Sequence, residues 1–180
     1  MTTSLLVIGY GNALRGDDGA GPCAARLFGE RCAARPGGDG APRALAVIQL
    51  LPELVDELAQ AARVVFIDAY AANDGKAAHA SEASNESHDS HESDDGAAPL
   101  RIVPLLPATD DVAHIRTAHA ASSVAPAQLL ALCARLYRRV PRAWLVGIPA
   151  YDFAAGATIS PRTAQRIEDA VDFCMAHGGR

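Results

Sequence analysis

Three kinds of side chain in this sequence could do chemistry together. Asp17 and Asp18 stand side by side in the stretch VIGYGNALRGDDGAG, residues 7–21. Asp68 closes the apolar run RVVFIDA, residues 63–69. His114 and His119 lie in DDVAHIRTAHAASSVAPAQLL, residues 110–130. Carboxylates are hard oxygen donors, and an imidazole beside them completes a mixed O/N site that leaves coordination positions open for substrate. At about 5 Å, two carboxylates repel by on the order of 3 kcal/mol at an effective dielectric near 20. Such a pair calls for a cation. One acid is enough to cap a helix; the second is left for another task.

The glycine-rich turn first suggests a phosphate site, but the details argue against it. A dinucleotide fingerprint G-x-G-x-x-G would begin at Gly9 and Gly11 and meet Leu14 at its third glycine. Two acids at the following helix start would repel a pyrophosphate, which needs the positive helix terminus. A nucleophile elbow G-x-S-x-G does not occur, and Ser122 and Ser123 have no base and orienting acid in series. The four cysteines, at 23, 32, 133 and 174, are scattered without a C-x-x-C. They read as reduced thiols of a cytoplasmic protein.

The elements that must position these residues alternate. SLLVIG (4–9), RALAVIQL (43–50), RVVFIDA (63–69), LRIVPLL (100–106) and AWLVGIP (143–149) read as strands. Pro104 puts the fourth at a sheet edge. Helical patterns cover 19–34, 52–62, 125–139 and 160–177, with Asp17 or Asp18 as cap of the first and Ser160 as cap of the last. Strand–helix alternation with continuous apolar strands predicts an α/β fold. The expected form is a three-layer α/β/α sandwich with a mainly parallel, roughly five-stranded twisted sheet. Ligands bind such sheets beyond the carboxyl ends of the strands, so Asp17, Asp18 and Asp68 are expected on one rim.

A chain of 180 residues is most simply one domain, here spanning 1–180. Residues 73–98 depart from the rest. They hold seven acids, one lysine and no large apolar side chain, and without them the net charge moves from −5 to +1. Such a segment cannot bury enough surface to offset ordering, which predicts a disordered acidic insertion. His79, His88 and His91 within it could hold a metal loosely. No basic stripe is present to suit a nucleic acid. The short apolar run at the start is neither signal peptide nor anchor, and no stretch suits a membrane span.

The run GYGNALRGDDGAG (9–21) resembles the opening signature of the hydrogenase maturation endopeptidases, G-x-G-N-x-L-x-x-D-D/E-G-x-G, at each of its eight defined positions. VVFIDA is similar to that family's second strand-end aspartate, and TAHAASS to its histidine segment. QLLPELVDELAQA (49–61) is similar to the branch serving cytoplasmic, NAD-reducing bidirectional hydrogenases. The resemblance implies an α/β endopeptidase acting without a serine or cysteine nucleophile. Its substrate would be the precursor of a nickel-iron hydrogenase large subunit, whose C-terminal extension it removes after nickel insertion. Carried over by position, the metal-contacting and catalytic residues are Asp18, Asp68 and His119, with nickel supplied by the precursor. Asp17 becomes a capping or supporting acid. Two other readings compete. A peptidyl-tRNA hydrolase-like enzyme also opens on G-x-G-N, but this chain has Ala13 and Leu14 where such enzymes continue with proline and glycine. A non-catalytic nickel chaperone would use the same three residues and the His-rich insertion only to carry metal.

Overall fold

The computed structural model describes residues 3–34, 38, 40–72, 98–108 and 124–178. The acidic insertion, apart from its last residue Ala98, lies outside the described residues, as do His114 and His119.

Five strands form one sheet: β1 (Leu6–Tyr10), β2 (Arg43–Val47), β3 (Arg63–Ala71), β4 (Arg101–Leu105) and β5 (Arg142–Ala150). Their order is β2-β1-β3-β5-β4. All neighbours are parallel except β4, which runs antiparallel to β5 at the sheet edge. Pro104 is tolerated there because an edge strand leaves one side without ladder bonds. The helices are α1 (Ala20–Ala33), α2 (Val55–Ala59), α3 (Pro126–Tyr137) and α4 (Pro161–Gly178).

The expected three-layer α/β arrangement is thus found. Period-2 alternation within buried strands sends successive side chains to opposite cores. Val7, Val65, Ile67, Val146 and Ile148 pack with Ala24, Phe28, Ile167 and Val171 on the α1–α4 side. Leu6, Ile8, Tyr10, Val64 and Phe66 pack with Leu58, Leu129 and Leu130 on the α2–α3 side. Both faces of β1 and β3 are covered, which explains why these strands read as unbroken apolar runs.

Two local expectations are corrected. The helix over 52–62 is shorter. Pro52–Leu54 forms a 3-10 turn, and α2 proper is five residues long. Neither Asp17 nor Asp18 caps α1. A 3-10 turn, Gly16–Gly19, intervenes, and the N-cap position falls on Gly19 with no side-chain cap. At α4 the expected cap is present, with Thr163 N–H donating to Ser160 Oγ at 3.3 Å. Among the described residues no helix is long and apolar enough to cross a membrane.

Candidate active site

Strand β1 ends at Tyr10, and the chain turns at once. Gly11 has φ +139°, and a Cβ there would lie 2.0 Å from the Asp18 carbonyl oxygen. A side chain is excluded on both counts. Gly21 lets α1 lie directly on the sheet. A Cβ on it would sit 2.5 Å from both the Ile67 and the Tyr10 carbonyl oxygens. The Asn12 side-chain carbonyl accepts the Leu14 N–H at 2.9 Å, an Asx turn that fixes the tip of the loop. The signature spacing is therefore the spacing of close backbone approaches between the loop, α1 and β3.

Asp18 is 3% exposed and Asp68 4%. The Asp18 Oδ2 accepts the Asn12 N–H at 3.1 Å, so the loop holds its own acid. Asp68 follows directly on the last paired residues of β1 and β3, Gly9 and Ile67, and its Oδ1 accepts the Ala69 N–H at 2.9 Å. Both carboxylates thus stand at the carboxyl ends of the two central strands, where a doubly wound sheet binds its ligand. They supply hard oxygen donors suited to a divalent metal. Among the described residues no third His, Cys, Asp or Glu joins them to make a three-ligand group. The expected third member, His119, lies outside the described residues.

Asp17 points elsewhere and is fully buried. Its Oδ2 accepts the N–H of Tyr151 at 2.8 Å and of Asp152 at 3.0 Å, together with the Ser160 hydroxyl at 2.9 Å. Its Oδ1 accepts the Ser160 N–H at 2.6 Å. Burial alone would raise its pKa, but the backbone donors of Ser160, Tyr151 and Asp152 outweigh it and hold the carboxyl below the ordinary range. Two backbone bonds reinforce the tie, Asp17 N–H to the Asp152 carbonyl and Gly156 N–H to the Leu14 carbonyl, each 2.8 Å. Asp17 therefore clamps the signature turn to the β5–α4 loop, while Asp18 turns to the Asn12 N–H of its own loop.

Two features have little signal in the sequence. Tyr10 is 4% exposed, and its hydroxyl meets no partner at hydrogen-bonding geometry among the described residues. Burial first, and then the nearby Asp68 carboxylate, push its pKa up. The second feature is a groove of about 600 Å³ lined by Val47, Ile48, Gln49, Leu51, Glu53 and Leu54. It opens beside the turn, because the Gly11 N–H is shared between the Val47 and Ile48 carbonyls at 3.3 and 3.2 Å. Ile48 is 72% exposed in it. The two buried cysteines offer little nucleophilicity. Burial, then Cys32, push the Cys174 thiol up to about 12, and burial raises Cys133 as well.

Fold and rim define a doubly wound α/β protein with an acidic site beyond its central strands. The fold is that of the nickel-iron hydrogenase maturation proteases. The NiFe hydrogenase maturation protease HycI from Thermococcus kodakarensis KOD1 superimposes with a TM-score of 0.59 at 15% identity, covering 99% of this chain and 94% of its own. HybD from Thermococcus kodakarensis gives 0.59 at 20% identity, with 98% and 99% covered. The hydrogenase maturating endopeptidase HybD from E. coli gives 0.59 at 18% identity, with 97% and 91% covered. No protein-family model matches the sequence, and no curated protein matches it.

Proposed function

We propose that this protein is an endopeptidase that removes the C-terminal extension from the precursor of a nickel-iron hydrogenase large subunit after nickel insertion. One observation carries the reading. The signature turn holds a buried acid, Asp18, at the rim where β3 presents a second, Asp68, in a fold shared with maturation proteases along nearly the whole chain.

In this reading Asp18, Asp68 and His119 are the ligand set, and nickel arrives as part of the precursor. Two carboxylates and one imidazole without thiolate hold a borderline metal weakly. The precursor's own nickel ligands then complete the shell, so recognition of the metal also checks that insertion has occurred. Nickel held there by Asp18, Asp68 and His119 would supply Lewis-acid polarisation of the scissile carbonyl or of a water. This chain's part is to orient the loaded centre and to keep the pair of acids ready in a preformed, buried setting. The Asp17 clamp, with its donors in the β5–α4 loop, fixes the backbone from which Asp18 extends. Serine and cysteine nucleophiles have no place in the scheme: the buried thiols are held protonated, and no elbow serine exists. The groove along Val47–Leu54 gives the precursor an apolar surface beside the acids. The similarity of residues 49–61 to the NAD-reducing branch supports a cytoplasmic hydrogenase as the partner and the same compartment for this protein.

The test is incubation with a precursor prepared with and without nickel. Cleavage of the loaded form alone supports the reading. Metal transfer without cleavage would instead make the protein a nickel carrier.

A further inference from the structure

Tyr10 has no role in the mechanism above, yet it stands beside one of its acids. In the parallel register of β1 and β3, Gly9 faces Ile67, so the next residues along each strand are Tyr10 and Asp68. Alternation puts both on the α2–α3 face, because Ile8 and Phe66, two residues earlier, lie in that core with Tyr10 itself. The ring is anchored among these apolar side chains. Its hydroxyl is buried and lacks a partner at bonding geometry among the described residues, although buried donors as a rule are paired. A phenylalanine would fill the same core without that penalty. The acceptor within reach is the Asp68 carboxylate, whose Oδ1 already takes the Ala69 N–H.

On the reading proposed above, we infer that Tyr10 is a positioning residue of the metal site, its O–H donating to Asp68 when that carboxylate turns to a divalent metal. With the Ala69 N–H on one side and the phenol on the other, rotation of the carboxylate is fixed as it faces the metal. Donors behind a ligating carboxylate set its orientation, and removing one typically weakens metal binding about 10- to 100-fold.

The test uses the full chain, Tyr10→Phe, Asp68→Asn and the double variant, with Ni²⁺ alone titrated calorimetrically at a protein concentration suited to a weak site. Tyr10→Phe is expected to melt no lower than wild type while its Kd for Ni²⁺ rises about tenfold. In the Asp68→Asn background the same change should have no further effect. An unchanged Kd for Tyr10→Phe would overturn the inference. So would an effect that persists without the Asp68 carboxylate, or a wild type with no Ni²⁺ binding. If Tyr10→Phe melts lower, the cycle with Asp68→Asn still decides, because a packing loss would weaken both backgrounds alike. No precursor enters this titration. Failure of wild type to cleave the loaded precursor would therefore sink the proposed function and leave the Tyr10 result standing on its own.

Discussion

Replacing Asp17 by asparagine keeps the shape of the side chain and removes the charge that four donors converge on. The carboxylate accepts three backbone N–H groups and one hydroxyl at 2.6–3.0 Å. Asparagine has one acceptor oxygen. If that oxygen takes the place of Oδ2, the amide nitrogen confronts the Ser160 N–H; if it takes the place of Oδ1, Tyr151 and Asp152 are left unpaired. At least one buried N–H is orphaned, at about 1–3 kcal/mol. The surviving bonds lose their charge-assisted character, roughly half their strength. Relief from desolvating a buried carboxylate offsets part of this, leaving a net loss of about 3 kcal/mol. For a chain of this size that is a drop of about 6–12 °C in Tm, read by circular dichroism at pH 7. The pH dependence has a definite sign. The folded pKa of Asp17 is depressed, so its stabilisation is complete above the unfolded value of about 3.9 and fades as pH falls through the lower folded value. The gap between wild type and Asp17→Asn should therefore narrow below about pH 4. Ser160→Ala, which removes the hydroxyl that both donates to Asp17 and caps α4, should cost about 1–3 kcal/mol. A Tm for Asp17→Asn within about 2 °C of wild type, or a gap that widens in acid, would refute the clamp.

Asp18→Ala, Asp68→Ala and His119→Ala should each abolish precursor processing while circular dichroism shows a folded protein; normal processing by His119→Ala with none by His114→Ala moves the histidine role to residue 114. Deleting residues 75–97 should preserve folding and cleavage. Its flanks are fastened at one place, Ala72 N–H to the Ala150 carbonyl and Ala98 N–H to the Tyr151 hydroxyl, each 2.9 Å. The shorter connection should raise stability by about 1 kcal/mol, and a melt showing marked loss would mean that the segment packs. Ile48→Lys should raise KM for the precursor and leave Tm within about 2 °C, since Ile48 is exposed; an unchanged KM removes the groove from substrate binding. Serine- and cysteine-directed reagents, and Cys→Ser at all four cysteines, should leave cleavage largely intact, and stoichiometric labelling with parallel loss of cleavage would reverse that expectation.

Much of this architecture is local and therefore legible along the chain. The run LLVIG followed by a glycine-rich turn can hardly be other than a buried strand leaving for a helix, because the close approaches at Gly11 and Gly21 tolerate no side chain. RVVFIDA ends on an acid where an apolar strand reaches the rim, and Pro104 marks an edge strand because its nitrogen cannot donate. Ser160 before Pro161 announces a helix start in the same local way. What the sequence determined by itself is the set of elements, their alternation, and two acids bound for one edge.

The tertiary structure decided where each acid turned. Asp17 and Asp18 are adjacent and chemically identical, and either one could read as the cap of α1. Asp17 instead serves donors 134–143 residues away, a partnership that exists only because β5 and the start of α4 come back beside the first turn. Tyr10 reads as a variable position between two glycines. It stands beside Asp68 because β3 lies next to β1 in the order β2-β1-β3-β5-β4, which puts two residues far apart in sequence on one face at one depth. Capping, periodicity and turn chemistry act over a few residues, so they can be read in order along the chain. Strand order and the pairing of buried polar groups are settled by the packing of the whole sheet, and a linear pattern carries no record of them.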